Sequence, residues 1–148
     1  MYKVEIPNLQ ELRDSFAKAP QKVVPILIDA TKQAGAVIVN EEKKQVPVKT
    51  GTLRRSVELS LGNIYARITP TANYANYVNF GTGIHNGGGY IYPKKSKYLK
   101  FNVGGRTIYC KRIAGQRANP FAERTLLNAK QQIIDIFNKA GNKIVNEL

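Results

Sequence analysis

The succession of apolar and polar positions divides the chain into helix, then strands, then helix. Residues 8–18 predict a short helix, with Asn8 in the N-cap place and Leu9, Leu12 and Phe16 along one stripe. Pro20 and Pro25 interrupt the pattern, each where a second helix can begin, and Pro25 is expected to kink its first turns. From there to Lys44 the positions Val24, Leu27, Ala34, Val37 and Ile38 keep a helical period, closed by the charges of residues 41–44. Gly35 lies inside that period. It costs about 1 kcal/mol against alanine in a helix, which points to the close approach of another element. Val46-Pro47 ends the helix, and Thr50 stands where it can cap a short piece through Leu53-Arg54-Arg55-Ser56.

Alternation then replaces the helical period. Segments 56–61 and 64–69 flank Gly62-Asn63 and read as one β-hairpin. Segments 98–103 and 106–113 flank Gly104-Gly105 and read as another. In the second, Leu99, Phe101 and Val103 are expected to face inward and Tyr98, Lys100 and Asn102 outward, with Cys110 a buried thiol. Segment 84–97 holds Gly87-Gly88-Gly89 and three lysines, and reads as a mobile loop that orders on contact. From Asn119, placed to cap, and Pro120, placed at the first helical position, the helical period returns. Leu126, Ala129, Ile133, Phe137, Ala140, Ile144 and Leu148 form its stripe. The expected fold class is α+β: one domain over residues 1–148, with a small antiparallel β-sheet of two hairpins flanked by two long α-helices.

With 148 residues the chain suffices for one domain with a modest core. Its longest nearly apolar run, residues 23–28, falls far short of the ~20 residues of a membrane helix, so neither membrane contact nor a signal peptide is expected. One cysteine, Cys110, and one histidine, His85, leave no internal disulfide, metal site or cofactor to expect.

Charge changes the picture more. The net charge is +13, and no acid occurs between Leu59 and Ala122. That stretch carries nine cations: Arg67, Lys94, Lys95, Lys97, Lys100, Arg106, Lys111, Arg112 and Arg117. A segment of one sign holds a positive potential and attracts polyanions or acidic protein surfaces.

Catalytic patterns fail on their own chemistry. Gly81-Thr82-Gly83 begins a dinucleotide fingerprint, but Asn86 stands in the third glycine's place. Gly83 and Gly88 have phosphate-loop spacing, yet Gly89 and Tyr90 stand where Lys and Ser/Thr are needed. Ser15-Phe16-Ala17-Lys18 and Lys49-Thr50-Gly51 mimic penicillin-interacting motifs by chance, since the chain is too small for that fold. His85 has no acid near it in sequence to orient it. No enzymatic activity is expected.

Tyr74, Tyr77, Phe80, Tyr90, Tyr92, Tyr98, Phe101 and Tyr109 interleave with the basic residues, as single-strand binding by stacking would require. Strand alternation, however, puts Phe101 in the core, and Tyr74, Tyr77 and Phe80 at intervals of three suit a packed helical turn. Most of these rings are therefore expected to be core. No sequence-reading DNA motif occurs, so DNA contact would be to phosphates alone.

Three segments carry a resemblance. Val46-Pro47-Val48-Lys49-Thr50-Gly51-Thr52-Leu53-Arg54-Arg55-Ser56 resembles the VPVDTGxLRxS segment of the neck and tail-completion proteins of long-tailed bacteriophages. Residues Tyr74 to Gly83, with Tyr77, Phe80, Gly81 and Thr82, are similar to that family's YAxYVEFGTG segment. Asn119-Pro120-Phe121 and the helix after it correspond to its PxPFLxPAL segment. The three stand in the family's order. Lys49 replaces an Asp, Asn79 a Glu, and Ala122-Glu123-Arg124 a leucine-rich stretch. In physical terms these look like fold-determining residues, with Thr50-Gly51 capping a turn, Leu53 anchoring it and Gly81 leaving a helix at positive φ.

The resemblance implies a non-catalytic virion protein, made in the bacterial cytoplasm and assembled as a ring of six or twelve copies at the head–tail junction. It implies as partners a head-completion or connector protein and a tail terminator or tail tube protein, with phage double-stranded DNA contacted without sequence preference. In that setting Lys94, Lys95, Lys97, Lys100, Arg106, Lys111, Arg112 and Arg117 are expected to face the DNA passage or an acidic partner ring. The other reading is a free basic nucleic-acid-binding module with no place in a particle.

Overall fold

The computed structural model describes residues 9–147, with side chains at residue 14 and from residue 17 onward. The Asn8 cap and Leu148 lie outside the described residues, as do the side chains of Leu9, Leu12 and Phe16. The elements are α1 (Leu9–Gln45), α2 (Thr52–Arg55), β1 (Val57–Leu61), β2 (Ala66–Pro70), α3 (Ala75–Phe80), a 3-10 turn (Gly83–Asn86), β3 (Leu99–Val103), β4 (Arg106–Cys110) and α4 (Phe121–Glu147). The α+β expectation holds, but the two hairpins form two separate two-stranded antiparallel sheets and not one.

The expected break between two N-terminal helices is absent. α1 runs through Pro20 and Pro25 without interruption. Each proline removes one N–H from the ladder and costs about 3 kcal/mol in a helix interior. Tertiary packing offsets this. Ile26 and Ala30, directly after Pro25, are buried, and helices in proteins are held mostly by such packing.

Contacts divide the chain into two compact units. The first takes the chain up to Glu41, Glu58–Thr69 and Leu126 onward. Its core joins Ile26 and Ala30 of α1 to Ala140 of α4, with Ile136 and Ile144 packed against them. The small side chains at residues 30 and 140 let two helices meet closely. Over Ala17–Gln45, α1 is long and apolar enough to cross a membrane by length and composition alone, and 22% of its most apolar window is buried, the Ile26–Ala30–Ala34 stripe among it. The inward face of α4 is Ala129, Ile133, Ile136, Ala140 and Ile144, while Leu126 and Phe137 of the expected stripe stand exposed.

Gly35 has the close neighbours that its helical position implied. A Cβ there would lie 3.0 Å from Ala66 Cβ and 3.0 Å from Leu59 Cδ1, both on the first hairpin. That hairpin turns over four residues, with the Gly62 N–H donating to the Tyr65 carbonyl at 2.9 Å. Ile64 and Tyr65, expected in the strand, belong to this turn, because the Tyr65 ring folds over Gly62 where a Cβ would collide with it.

The second unit takes Glu42–Val57 and Pro70–Thr125. Val46, Leu53, Val57, Ala75, Phe121 and Thr125 are its buried side chains, together with Glu42. Thr71 donates twice to the Ser56 carbonyl, from its N–H at 2.8 Å and its hydroxyl at 3.1 Å. Burial raises the Glu42 carboxyl above its ordinary value by desolvating the ion.

Two outcomes are expected from this packing. Gly35→Val puts branched carbon where Ala66 and Leu59 already stand, and is expected to cost about 1–3 kcal/mol in urea unfolding. Glu42 has a folded pKa above its unfolded value of 4.5. Its neutral form therefore supports folding fully below pH 4.5, and that support is lost as pH rises through the folded value. Glu42→Gln is accordingly expected to raise the melting temperature at pH 7 and leave it nearly unchanged at pH 4.

Candidate interaction surface

Within the second unit, the motif Gly81-Thr82-Gly83 is clasped backbone to backbone against residues 114–118. The Thr82 N–H donates to the Gln116 carbonyl at 2.8 Å, and the Ile84 N–H to the Ala114 carbonyl at 2.9 Å. In return the Gln116 N–H donates to the Thr82 hydroxyl at 2.8 Å. Two glycines make this approach possible. A Cβ on Gly83 (φ 65°) would run into the Ala114 carbonyl oxygen, and one on Gly115 (φ 94°) into that of Thr82. Gly81 leaves α3 at φ 76°, as its place after Phe80 implied.

The clasp continues into α4. The Asn119 N–H donates to the Val78 carbonyl at 2.9 Å. Asn119 was expected to cap α4, but its side-chain oxygen accepts from Arg124 at 2.5 Å instead. The helix terminus receives its side-chain acceptor from α3, where Asn79 Oδ1 takes the Ala122 N–H at 3.1 Å. Arg124 also donates to the side-chain and main-chain oxygens of Gln45 at 3.3 and 3.4 Å, meeting the C-terminal end of α1. Phe121 is 1% exposed, the most buried large side chain of the third motif, whereas Pro120 is exposed.

The first and second motifs line a groove of about 400 Å³, formed by Pro47, Val48, Lys49, Thr50, Gly51, Thr52, Leu53, Tyr74, Val78 and Gln116. Leu53 anchors it, buried on α2. Gly51, at φ 77°, occupies the N-cap place of α2 that Thr50 was expected to hold, and no side-chain cap bond forms. The Thr50 hydroxyl sits 3.0 Å from that of Thr52. Arg54 is exposed and lies outside the groove lining, and the Arg55 guanidinium folds back toward Gly51. The expectation that Tyr74, Tyr77 and Phe80 pack inward is corrected: they are 38%, 61% and 64% exposed. The inward face of α3 is Ala75, Val78 and Asn79, at intervals of three and four, which leaves residues 77 and 80 on the outer side.

Between the two strands of the clasp, residues 85–113 leave and return. Ile91 and Ile113 pair through two backbone hydrogen bonds of 2.9 and 3.0 Å. Beyond them the second hairpin has the expected Gly104-Gly105 turn, both glycines at positive φ. Its register sets Leu99 opposite Cys110, Lys100 opposite Tyr109, Phe101 opposite Ile108, Asn102 opposite Thr107 and Val103 opposite Arg106. The apolar face is covered only toward its base. Leu99, Phe101 and Cys110 are half-buried, but Val103 and Ile108 are exposed, so Cys110 is not the buried thiol expected.

Lys94, Lys95, Lys97, Lys100, Arg106, Lys111, Arg112 and Arg117 are all exposed. Seven of them lie in the excursion, and Arg117 stands in the clasp strand. Rings and cations alternate here. Lys97 Nζ is 5.9 Å from the Tyr98 ring centre, Lys100 Nζ 6.0 Å from that of Tyr109, and the Arg112 guanidinium 4.3 Å from that of Tyr90. A hydrogen bond with the Tyr92 side chain, and the field of Tyr92 and Tyr90, hold Arg112 above its ordinary value. Among the described residues, no group of three or more His, Cys, Asp or Glu side chains comes together as a metal site.

Residues 10–81 match the model of the HK97-gp10-like family, described as "Bacteriophage HK97-gp10, putative tail-component". Over this segment, just under half of the chain, the protein is similar to that family, consistent with the resemblance to neck and tail-completion proteins. The family's description is that of a phage tail component, and the match gives no support to a free nucleic-acid-binding module. Comparisons with curated proteins and with solved structures gave no match.

The clasp makes an asymmetric prediction for the glycines. Gly115→Ala meets both positive φ and the Thr82 carbonyl, and is expected to cost about 2 kcal/mol or more in urea unfolding. Gly104→Asn, at φ 58° in open space, is expected to cost less than about 1 kcal/mol.

Proposed function

We propose that this chain, a phage tail component by its family over residues 10–81, forms a ring at the junction where the DNA-filled head meets the tail. There it joins head to tail or completes the tail, and it performs no chemical step. The observation that carries this reading is the order of three motifs. The family match runs from residue 10 in α1 into the second motif as far as Gly81, and the third, Asn119-Pro120-Phe121, follows in the chain by closing the clasp and starting α4.

The construction supports an assembly role. Large apolar side chains are left exposed on separate elements: Val48, Tyr77 and Phe80 near the motifs, and Leu126, Leu127, Ile134 and Val145 along α4. Different patches on one chain suit a head-to-tail contact, the kind that closes a ring. Six or twelve copies would sit between a head-completion or connector protein on one side and a tail terminator or tube protein on the other. Segment 84–97 would order against one of these neighbours on docking, and the basic stretch would face the DNA passage or an acidic partner ring.

Electron microscopy of lysates from a phage with this gene disrupted tests the reading. Full heads beside detached tails are the expected result. Intact infectious particles would overturn it.

A further inference from the structure

We infer that the second hairpin, with Lys100, Asn102, Thr107 and Tyr109 on one face and the exposed Lys97 and Arg112 just outside its strands, binds the phosphate backbone of double-stranded DNA without reading its bases. This rests on the junction reading and decides, in favour of DNA, what the basic stretch faces there.

The register separates two faces. Leu99, Phe101, Val103, Ile108 and Cys110 share the apolar one, with Arg106 at its end, and the other holds Lys100 and Tyr109 as one cross-strand pair and Asn102 and Thr107 as the next. This second face is built wholly of donors. An ammonium, a carboxamide, a hydroxyl and a phenol are the groups that contact phosphate oxygens. The cations of the hairpin and of the chain just outside it lie near rings, at 5.9, 6.0 and 4.3 Å for Lys97, Lys100 and Arg112. A ring attracts a cation without cancelling its charge, so the full charge stays available to an anion.

The charge of the unit calls for such an anion. By sequence the second unit has 14 Lys and Arg against two acids, Glu42 and Glu123, and holds +12 of the net +13. Several such units around one axis repel each other unless a polyanion runs among them. Protein interfaces fix their register with complementary potentials of both signs. A face of one sign fixes no register and suits a partner whose charge is uniform and repeated along its length, as the duplex backbone is.

The test uses the full-length protein, a fluorescein-labelled 20-base-pair duplex in two unrelated sequences, and anisotropy between 50 and 200 mM salt. The two sequences are expected to bind within about twofold of each other. The triple variant K97Q/K100Q/R112Q removes three exposed charges, so it is expected to melt like the parent. It should weaken binding tenfold or more at 100 mM salt and reduce the salt slope by about 0.9 for each phosphate that is no longer neutralised. K130Q/K139Q/K143Q, three exposed lysines on α4, should weaken it less than threefold. Equal weakening by both triples, tighter binding of a 20-mer single strand, or competition by polyglutamate as strong per charge as by duplex would each overturn the inference. So would a failure to bind at 50 mM salt. In the phage, particles of the first triple variant that assemble and retain DNA normally would sink this inference alone, whereas intact particles after gene disruption would sink the junction reading beneath it.

Discussion

Two stretches of main chain approach each other in the second unit more closely than side chains would allow, and the interacting surface depends on that approach. Gly83 lies against the Ala114 carbonyl and Gly115 against that of Thr82, each at a positive φ. Three hydrogen bonds of 2.8–2.9 Å join residues 82, 84, 114 and 116 across this approach. The motif Gly81-Thr82-Gly83 is thus a backbone device and not a phosphate loop. Its glycines exist to admit another strand. The Asn119–Val78 bond and the Asn79 cap on Ala122 carry the same clasp on to the start of α4.

The consequence for function is a division of labour. Burial concentrates in Leu53, Ala75, Phe121 and Thr125, while the excursion between the clasped strands buries little and carries seven cations with no acid. A hairpin with so little packed apolar surface relies on its base to stay placed. In the proposed ring, this lets the clasp hold the fold while the hairpin meets a partner. The tyrosines take the place that acids take in an ordinary surface. Their rings lie 5.9, 6.0 and 4.3 Å from Lys97, Lys100 and Arg112.

Much of this was legible in the residues. The second hairpin followed from Gly104-Gly105 between alternating segments, and Gly35 announced a close neighbour that proved to be Leu59 and Ala66. The acid-free stretch was visible as a count, and the first two motifs pointed to the kind of family whose model matches residues 10–81. What failed, failed for tertiary reasons. Pro20 and Pro25 signal a break locally, but Ile26 and Ala30 pack on Ala140 and hold one helix through them. Tyr74, Tyr77 and Phe80 keep an interval of three that also fits an inward face, yet so short a helix buries only the face through Ala75 and Val78. Gln116 and Arg124 were missed altogether, since their roles come from partners 34 and 79 residues away. The one cue was Gly115, a glycine with no turn pattern around it.

Native-state hydrogen exchange reads this dependence amide by amide, because it reports the opening free energy of each. If the clasp is the anchor and the hairpin an appendage on it, the Thr82, Ile84 and Gln116 amides exchange only with global unfolding. The paired amides of β3 and β4 then exchange much faster, through local opening. Clasp amides that exchange as fast as those of the hairpin would show that the fold is anchored elsewhere.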